Sequence, residues 1–360
     1  RAHHNLNGRS FQFHRDNLGA SSAAAYEAIV DTLRNGNTHF SFRQNPSRDD
    51  ITDAYHAVLA DHPELFFTNG RLSMSLVNGR IVSADAGRMM SDAEWRRNLR
   101  ICDSAVSEIT SSMPSKSSTY DRVIHVYKHI IRETEYGLES EDNQNMCSVF
   151  DDHVSCCAGY SRAFQYALTS MGIPATYVSG YVDGRIKTGS HAWNLVWIDG
   201  QPCYIDITWG DPVYAGIDSN PRRVSYDYFG LGSADMSRTH TPDSSIARYL
   251  PSVPDGNLNW YRHNGLYFSR YDEKEVASSV QRYIMTNEIG SRHDNLGEIA
   301  IRFSNRAAFD AAGTSFWDGG RIGYIAAPAF TANGFSMANM HHSVNEDLLI
   351  HHFTFDIVRR

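Results

Sequence analysis

The sequence predicts an α+β protein. Helical periodicity fills the first half of the chain, the apolar period switches to two after Pro174, and short aromatic and β-branched runs recur towards the C-terminus. The chain has 360 residues, 41% hydrophobic and 21% charged, so an ordinary packed core is expected, with length enough for two domains or one domain with additions.

The elements follow in order. The first ten residues are expected to be a flexible lead-in. Ser21 to Leu33 reads as a helix, because Tyr26, Ile29, Val30 and Leu33 fall on one face. Asp49 to Leu59 reads as a second helix. Leu72 to Val82 alternates around Asn78-Gly79, the strongest short hairpin signal. Ser91 with Glu94 makes a capping box that opens a helix running to about Ile109. Tyr120 to Glu135 carries an apolar stripe of Val123, Ile124, Tyr127, Ile130 and Ile131. Cys157 to Met171 repeats that pattern with Tyr160, Phe164, Ala167 and Leu168, and Gly172 and Pro174 close it. Ala175 to Tyr181, Ala192 to Ile198 and Pro202 to Ile207 then read as strands, the last two joined by an Asp199-Gly200 turn. Asp211 to Pro221 and Ser233 to Pro254 are polar and read as irregular. Beyond them, strand-like runs at Leu266 to Phe268, Ile299 to Phe303, Ile322 to Ala326 and Leu348 to Ile357 surround a helix from about Glu273 to Met285.

Composition excludes several classes of function. A net charge of -8 argues against nucleic acid as the main partner. No run approaches the roughly 18 apolar residues of a membrane span, so no integral span is expected. The chain opens at Arg1 rather than Met, and the lack of a signal-like stretch therefore decides nothing. The five cysteines are too few and irregular for a disulfide scaffold, and Cys102, Cys147 and Cys203 read as small buried hydrophobes. The pairs His341-His342 and His351-His352 lack the spacing of a helix-borne metal site, so neither metal nor cofactor is expected.

Three segments carry chemistry. Cys157 opens its helix, where unpaired N–H groups and the positive end of the dipole favour a thiolate and can hold an oxyanion. Taken alone, it reads more readily as a buried structural thiol. Gly159 lets something approach the first helical turn closely. His191 starts a strand 34 residues downstream, on a face shared with Trp193 and Leu195. Asp206 lies on the next strand of the hairpin. Counting outward from the turn puts it diagonal to His191, within side-chain reach. Thiol, imidazole and carboxylate are what nucleophilic acyl transfer needs. Trp193 and Trp209 are candidates to line a cleft, buried aromatics being the commoner outcome.

The runs Cys-Ala-Gly-Tyr-Ser-Arg-Ala-Phe-Gln-Tyr, His-Ala-Trp-Asn-Leu-Val and Tyr-Ile-Asp-Ile-Thr-Trp-Gly-Asp-Pro together resemble the transglutaminase-like superfamily in its bacterial form. The resemblance implies a papain-like core over about 105–235, in which a Cys-bearing helix packs on an antiparallel sheet, between an N-terminal helical region with a hairpin (1–104) and a C-terminal α+β extension (236–360). It implies Cys157, rather than Cys156, as nucleophile, His191 as base and Asp206 as the orienting carboxylate. Softer matches at His62 to Phe67, Tyr228 to His240 and Asn259 to Phe268 concern architecture. Gln144 occupies a position where relatives often carry Gln. It reads either as an oxyanion donor or as an ordinary loop residue.

The expected chemistry is attack of the Cys157 thiolate on a carboxamide or peptide carbonyl of a protein or peptide substrate. Water as acceptor gives a hydrolase or protease, and a lysine-like amine gives a crosslinking acyltransferase. Hydrolysis is favoured because no calcium-loop pattern accompanies the core. The rival from another class is a binding scaffold that retains the triad without turnover. A secreted or cell-surface location follows from the resemblance, and oligomeric state is open.

Overall fold

The computed structural model describes residues 11–184, 187–211, 223–287 and 296–359. The expected lead-in and most of the Asp211 to Pro221 segment lie outside the described residues. By contact the chain divides into two units. The first comprises the described residues of Arg1–Tyr228 with His240–Val253, the second those of Phe229–Thr239 with Pro254–Arg360.

In the first unit, helix α1 (Ala20–Arg34) buries Tyr26, Ile29, Val30 and Leu33, the face its spacing predicts. Helix α2 (Arg48–Asp61) starts at a Ser47/Asp50 capping box. Strands β1 (Thr68–Val77) and β2 (Arg80–Arg88) form the expected hairpin, with Asn78 at φ 51° and Gly79 at φ 75°, the left-handed pair a type I′ turn demands. Helix α3 (Asp92–Ser111) opens at the predicted Ser91/Glu94 box. Helix α4 (Thr119–Glu133) opens at a third such box, Ser118/Asp121, and buries Val123, Val126, Tyr127, Ile130 and Ile131.

The part that positions the site is helix α5 (Cys157–Ser170) against the strands β3 (Ala175–Asp183), β4 (Thr188–Ile198), β5 (Gln201–Ile205) and β6 (His240–Pro242). Within this unit the strands run in the order β6-β3-β4-β5, each pair antiparallel. The β4–β5 turn places Asp199 at φ 49° and Gly200 at φ 80°, pairing Ile198 with Gln201 as the count from the turn predicts. Helix α5 packs on β3 and β4. Its Phe164 is fully buried, with its ring centroid 6.1 Å from that of Tyr127 on α4, and burial of such a ring contributes roughly 1.5–3 kcal/mol. Asn194 of β4 fastens helix to sheet, its Nδ2 donating to Ser161 O at 3.0 Å and Thr176 O at 3.3 Å. The predicted α+β class, with a Cys-bearing helix on an antiparallel sheet, is therefore the fold observed.

The segment read as irregular between Ser233 and Pro254 contains ordered pieces. Among them is β6, whose His240, Thr241 and Pro242 pair with Val182, Tyr181 and Gly180 of β3. Only glycine fits at 180, since a Cβ there would lie 2.7 Å from the Trp193 ring and 2.8 Å from Pro242 Cα. The expected thiol packing of Cys102, Cys147 and Cys203 is seen. All three are buried, and the sulfurs of Cys102 and Cys147 are 3.4 Å apart.

The second unit is a small α+β layer. Strands Tyr267–Phe268, β7 (Leu296–Phe303), β9 (Ile350–Arg359) and β8 (Phe335–Asn345) lie side by side in that order, accompanied by helices α6 (Glu273–Thr286), α7 (Arg306–Gly313) and α8 (Arg321–Ala332). Here one expectation fails. Ile322 to Ala326, read as a strand, lies in α8, whose buried Ile322, Ile325, Ala326, Ala329 and Phe330 follow helical spacing. Pro328 inside that helix and Gly323 near its start disguise the pattern in the sequence.

Candidate active site

Helix α5 starts where two cysteines meet: Cys156 is its N-cap and Cys157 its first residue. Cys156 is buried and Cys157 half-buried, so of the two thiols Cys157 is the accessible one. The loop before the helix lies hard against its first turn. A Cβ on Gly159 would overlap Ser155 Oγ and come 2.8 Å from Asn143 O. The close approach expected at Gly159 is thus made by the protein's own loop.

Cys157 Sγ accepts from the N–H of Ala192, the residue after His191, and feels the charge of Asp206. The two thiols are also hydrogen-bonded to each other. That bond, opposed by burial and reinforced by the N–H groups of Ala158 and Gly159 and by Arg162, brings Cys156 down to about 6. The same bond, with burial and the charges of Cys156 and Asp206, pushes Cys157 up. The pair therefore releases one proton readily and a second with difficulty. Gln144 is exposed and faces the first of the two sulfurs. Its Nε2 donates to Cys156 Sγ at 3.1 Å and to Asn143 Oδ1 at 3.0 Å.

His191 and Asp206 are brought together as the hairpin count predicts. His191 Nε2 lies 2.8 Å from Asp206 Oδ2, and the two residues are 4% and 0% exposed. The other carboxylate oxygen, Oδ1, accepts from the N–H groups of Thr208 and Trp209 at 3.0 and 3.1 Å. These come from the turn Thr208–Gly210, into which the chain bends after β5. Burial alone would raise Asp206. The His191 charge and the hydrogen bonds from His191 and His240 outweigh it and hold the carboxylate well below its usual range.

His240 is the residue that sequence reasoning did not single out. Its Nε2 lies 3.0 Å from Asp206 Oδ2, the same oxygen that His191 uses, and it is 2% exposed. Trp193 and Trp209 pack on it at 4.9 Å each and Tyr228 at 5.4 Å. The two tryptophans, expected as cleft or core residues, are buried at the back of the site. No local periodicity points to His240. It reaches Asp206 only because β6 pairs with β3.

Among the described residues, His191, Asp206 and His240 are the group of possible metal donors lying within 4.8 Å of one another. Their spacing is that of hydrogen bonds, two ring nitrogens on one oxygen, which is a proton-sharing arrangement rather than a cation cradle.

With this geometry in view, residues 106–207 match the core domain of the transglutaminase-like superfamily. Those residues thus form a transglutaminase-like core. The chain is similar to the kyphoscoliosis peptidase of Mus musculus, 23% identical over 222 residues, and to that of Homo sapiens, 25% identical over 204 residues. Those matches take in 57% and 52% of this chain, which spans about a third of the curated relatives' length (32% and 31%). It is also similar to a solved structure described as a TGase, with 16% identity and a TM-score of 0.29 over 47% of this chain and 50% of that one.

Proposed function

We propose that the chain is a thiol-dependent acyl-transfer enzyme acting on peptide or carboxamide bonds, with Cys157 as nucleophile, His191 as general base and acid, and Asp206 as the group that orients His191. The observation that carries this reading is the pairing of His191 with a fully buried, four-donor carboxylate beside the one half-exposed thiol at a helix start. Asp206 engages Nε2, and this reading assigns proton exchange with Cys157 to the other ring nitrogen, Nδ1. The thiolate attacks the carbonyl, and N–H groups at the start of α5 hold the negative oxygen, those of Ala158 and Gly159 only after giving up Cys156 Sγ. His191 then gives its proton to the leaving amine. For Gln144 to join, its amide must leave Cys156 for the substrate.

A cavity of about 340 Å³ adjoins Gln144. Pro63, Leu65, Phe66 and Met89 give it an apolar wall, and Arg162 and Glu141 add charge, a lining suited to peptide side chains. Hydrolysis is the favoured outcome, as a cysteine protease or amidohydrolase. A secreted or cell-surface location belongs to the same reading. Among the described residues no helix is long and apolar enough to cross a membrane.

The test is mass spectrometry of denatured casein incubated with the protein, with and without a primary amine, comparing the wild type with Cys157→Ala. Cleavage or deamidation that Cys157→Ala abolishes supports the hydrolase. Amine incorporation replaces it with a crosslinking transglutaminase. Equal inertness of both proteins, with slow and unselective alkylation of their thiols by iodoacetamide, identifies a scaffold.

A further inference from the structure

The carboxylate Asp206 is shared. In a Cys-His-Asp arrangement the acid needs one donor from the histidine, yet here a second imidazole, His240, reaches the same Oδ2 from a strand that follows 34 residues later. Its surroundings fix its form. The titratable groups against it are Asp206 after β5, His191 on β4 and Tyr228, and the rings of Trp193 and Trp209 complete an apolar cage. Burial pushes His240 down, more than the Asp206 hydrogen bond and charge raise it. A neutral ring beside a carboxylate must carry its proton on the nitrogen that faces it, so His240 is the Nε2–H tautomer and a donor.

We propose that His240 is a positioning residue that acts through Asp206, pinning the carboxylate and dividing one of its oxygens between two imidazoles. The inference rests on the acyl-transfer reading of Cys157, His191 and Asp206. Two consequences follow. The carboxylate cannot rotate without breaking bonds on both oxygens, so His191 keeps one orientation. An oxygen that already accepts from His240 also attracts the protonated His191 ring less strongly than a carboxylate left to His191 alone. The imidazolium formed when Cys157 ionises is thereby kept ready to give its proton to the leaving group.

The experiment measures the rate at which iodoacetamide alkylates Cys157 in the full chain between pH 4 and 10, by peptide mass spectrometry. It compares the wild type with His240→Phe, which fills the aromatic cage without a donor, and His240→Gln, which restores an N–H. The profile's alkaline step, where the imidazolium gives up its proton, should move up by roughly one pH unit in His240→Phe and stay in place in His240→Gln. A step unmoved in His240→Phe, or moved equally in both variants, overturns the proposal, since a packing role alone would treat them alike. The second measurement needs no variant. In 15N-imidazole spectra of the wild type at pH 7, His240 should be the neutral Nε2–H tautomer, and a protonated ring or the Nδ1–H tautomer there would refute the assignment even if His240→Phe fails to fold. The two readings fail separately. A wild type whose Cys157 labels no faster than an ordinary thiol below pH 8 removes the catalytic reading, whereas rapid labelling with an unmoved step removes only the role of His240.

Discussion

Asp206→Asn removes one charge and changes one atom of the side chain. Asp206 accepts four hydrogen bonds, from His191 at 2.8 Å, His240 at 3.0 Å, Thr208 N at 3.0 Å and Trp209 N at 3.1 Å, with no solvent access. An asparagine has a single acceptor oxygen. If that oxygen keeps the two backbone N–H groups, its amide donors face the two ring nitrogens, and both histidines must move their protons to Nδ1. His191 then presents a proton to Cys157 rather than a lone pair. Loss of about two charge-assisted hydrogen bonds should cost roughly 2–4 kcal/mol of stability, read as a lower urea midpoint. The effect on chemistry is larger. Without a base, Cys157 loses its ion-pair support while the Cys156 bond and burial still push it up, so no more than the roughly 0.3% of an ordinary thiol is ionised at pH 6. Selective labelling by iodoacetamide at pH 6 should therefore fall by roughly 300-fold, with full reactivity recovered only above about pH 9. A folded Asp206→Asn protein whose Cys157 labels within threefold of the wild type at pH 6 would refute the reasoning.

Three further outcomes are expected. Cys156→Ala removes the partner whose hydrogen bond and charge push Cys157 up, so Cys157 should label faster below pH 8. Slower labelling would make Cys156 a helper of the nucleophile. Gly159→Ala drives a methyl group into Ser155 and towards Asn143 O, 2.8 Å away, and should cost roughly 1–3 kcal/mol in denaturant unfolding despite alanine's better helix propensity. In the second unit, burial brings His351 down to about 4, against the hydrogen bond to Phe309 O. The unfolded chain takes up that proton below about pH 6.5, so stability should decline from pH 6.5 to 4 by roughly 3 kcal/mol. Urea midpoints at pH 7, 5 and 4 should show this slope, and His351→Gln should flatten it.

Much of the first unit was legible because its signals are local. Asp199-Gly200 fixes a type I′ turn, the turn fixes the register, and the register sets Asp206 beside His191. Three Ser-x-x-acid boxes mark the starts of α2, α3 and α4, although only Ser91/Glu94 was read as one. What escaped depends on long-range pairing or on context. Ile322 to Ala326 is β-branched and aromatic enough to pass for a strand, and only the packing of the whole Arg321–Ala332 stretch, with Ala329 and Phe330 buried, reveals the helical period. His240 sits in a polar segment with no periodicity. Its place follows from a three-residue strand pairing that Gly180 permits and no sequence window contains. The contact between Gln144 and Cys156 was likewise invisible, because it depends on how the loop folds back over Gly159.

The short strand β6 has one more effect. His240–Pro242 occupies the outer margin of β3, where an extended polypeptide would otherwise find a long row of unsatisfied amides and carbonyls. A three-residue hem that ends in proline offers a visiting chain almost nothing to zip onto. The stretch Gly180–Val182 of that flank is thereby closed to strand addition.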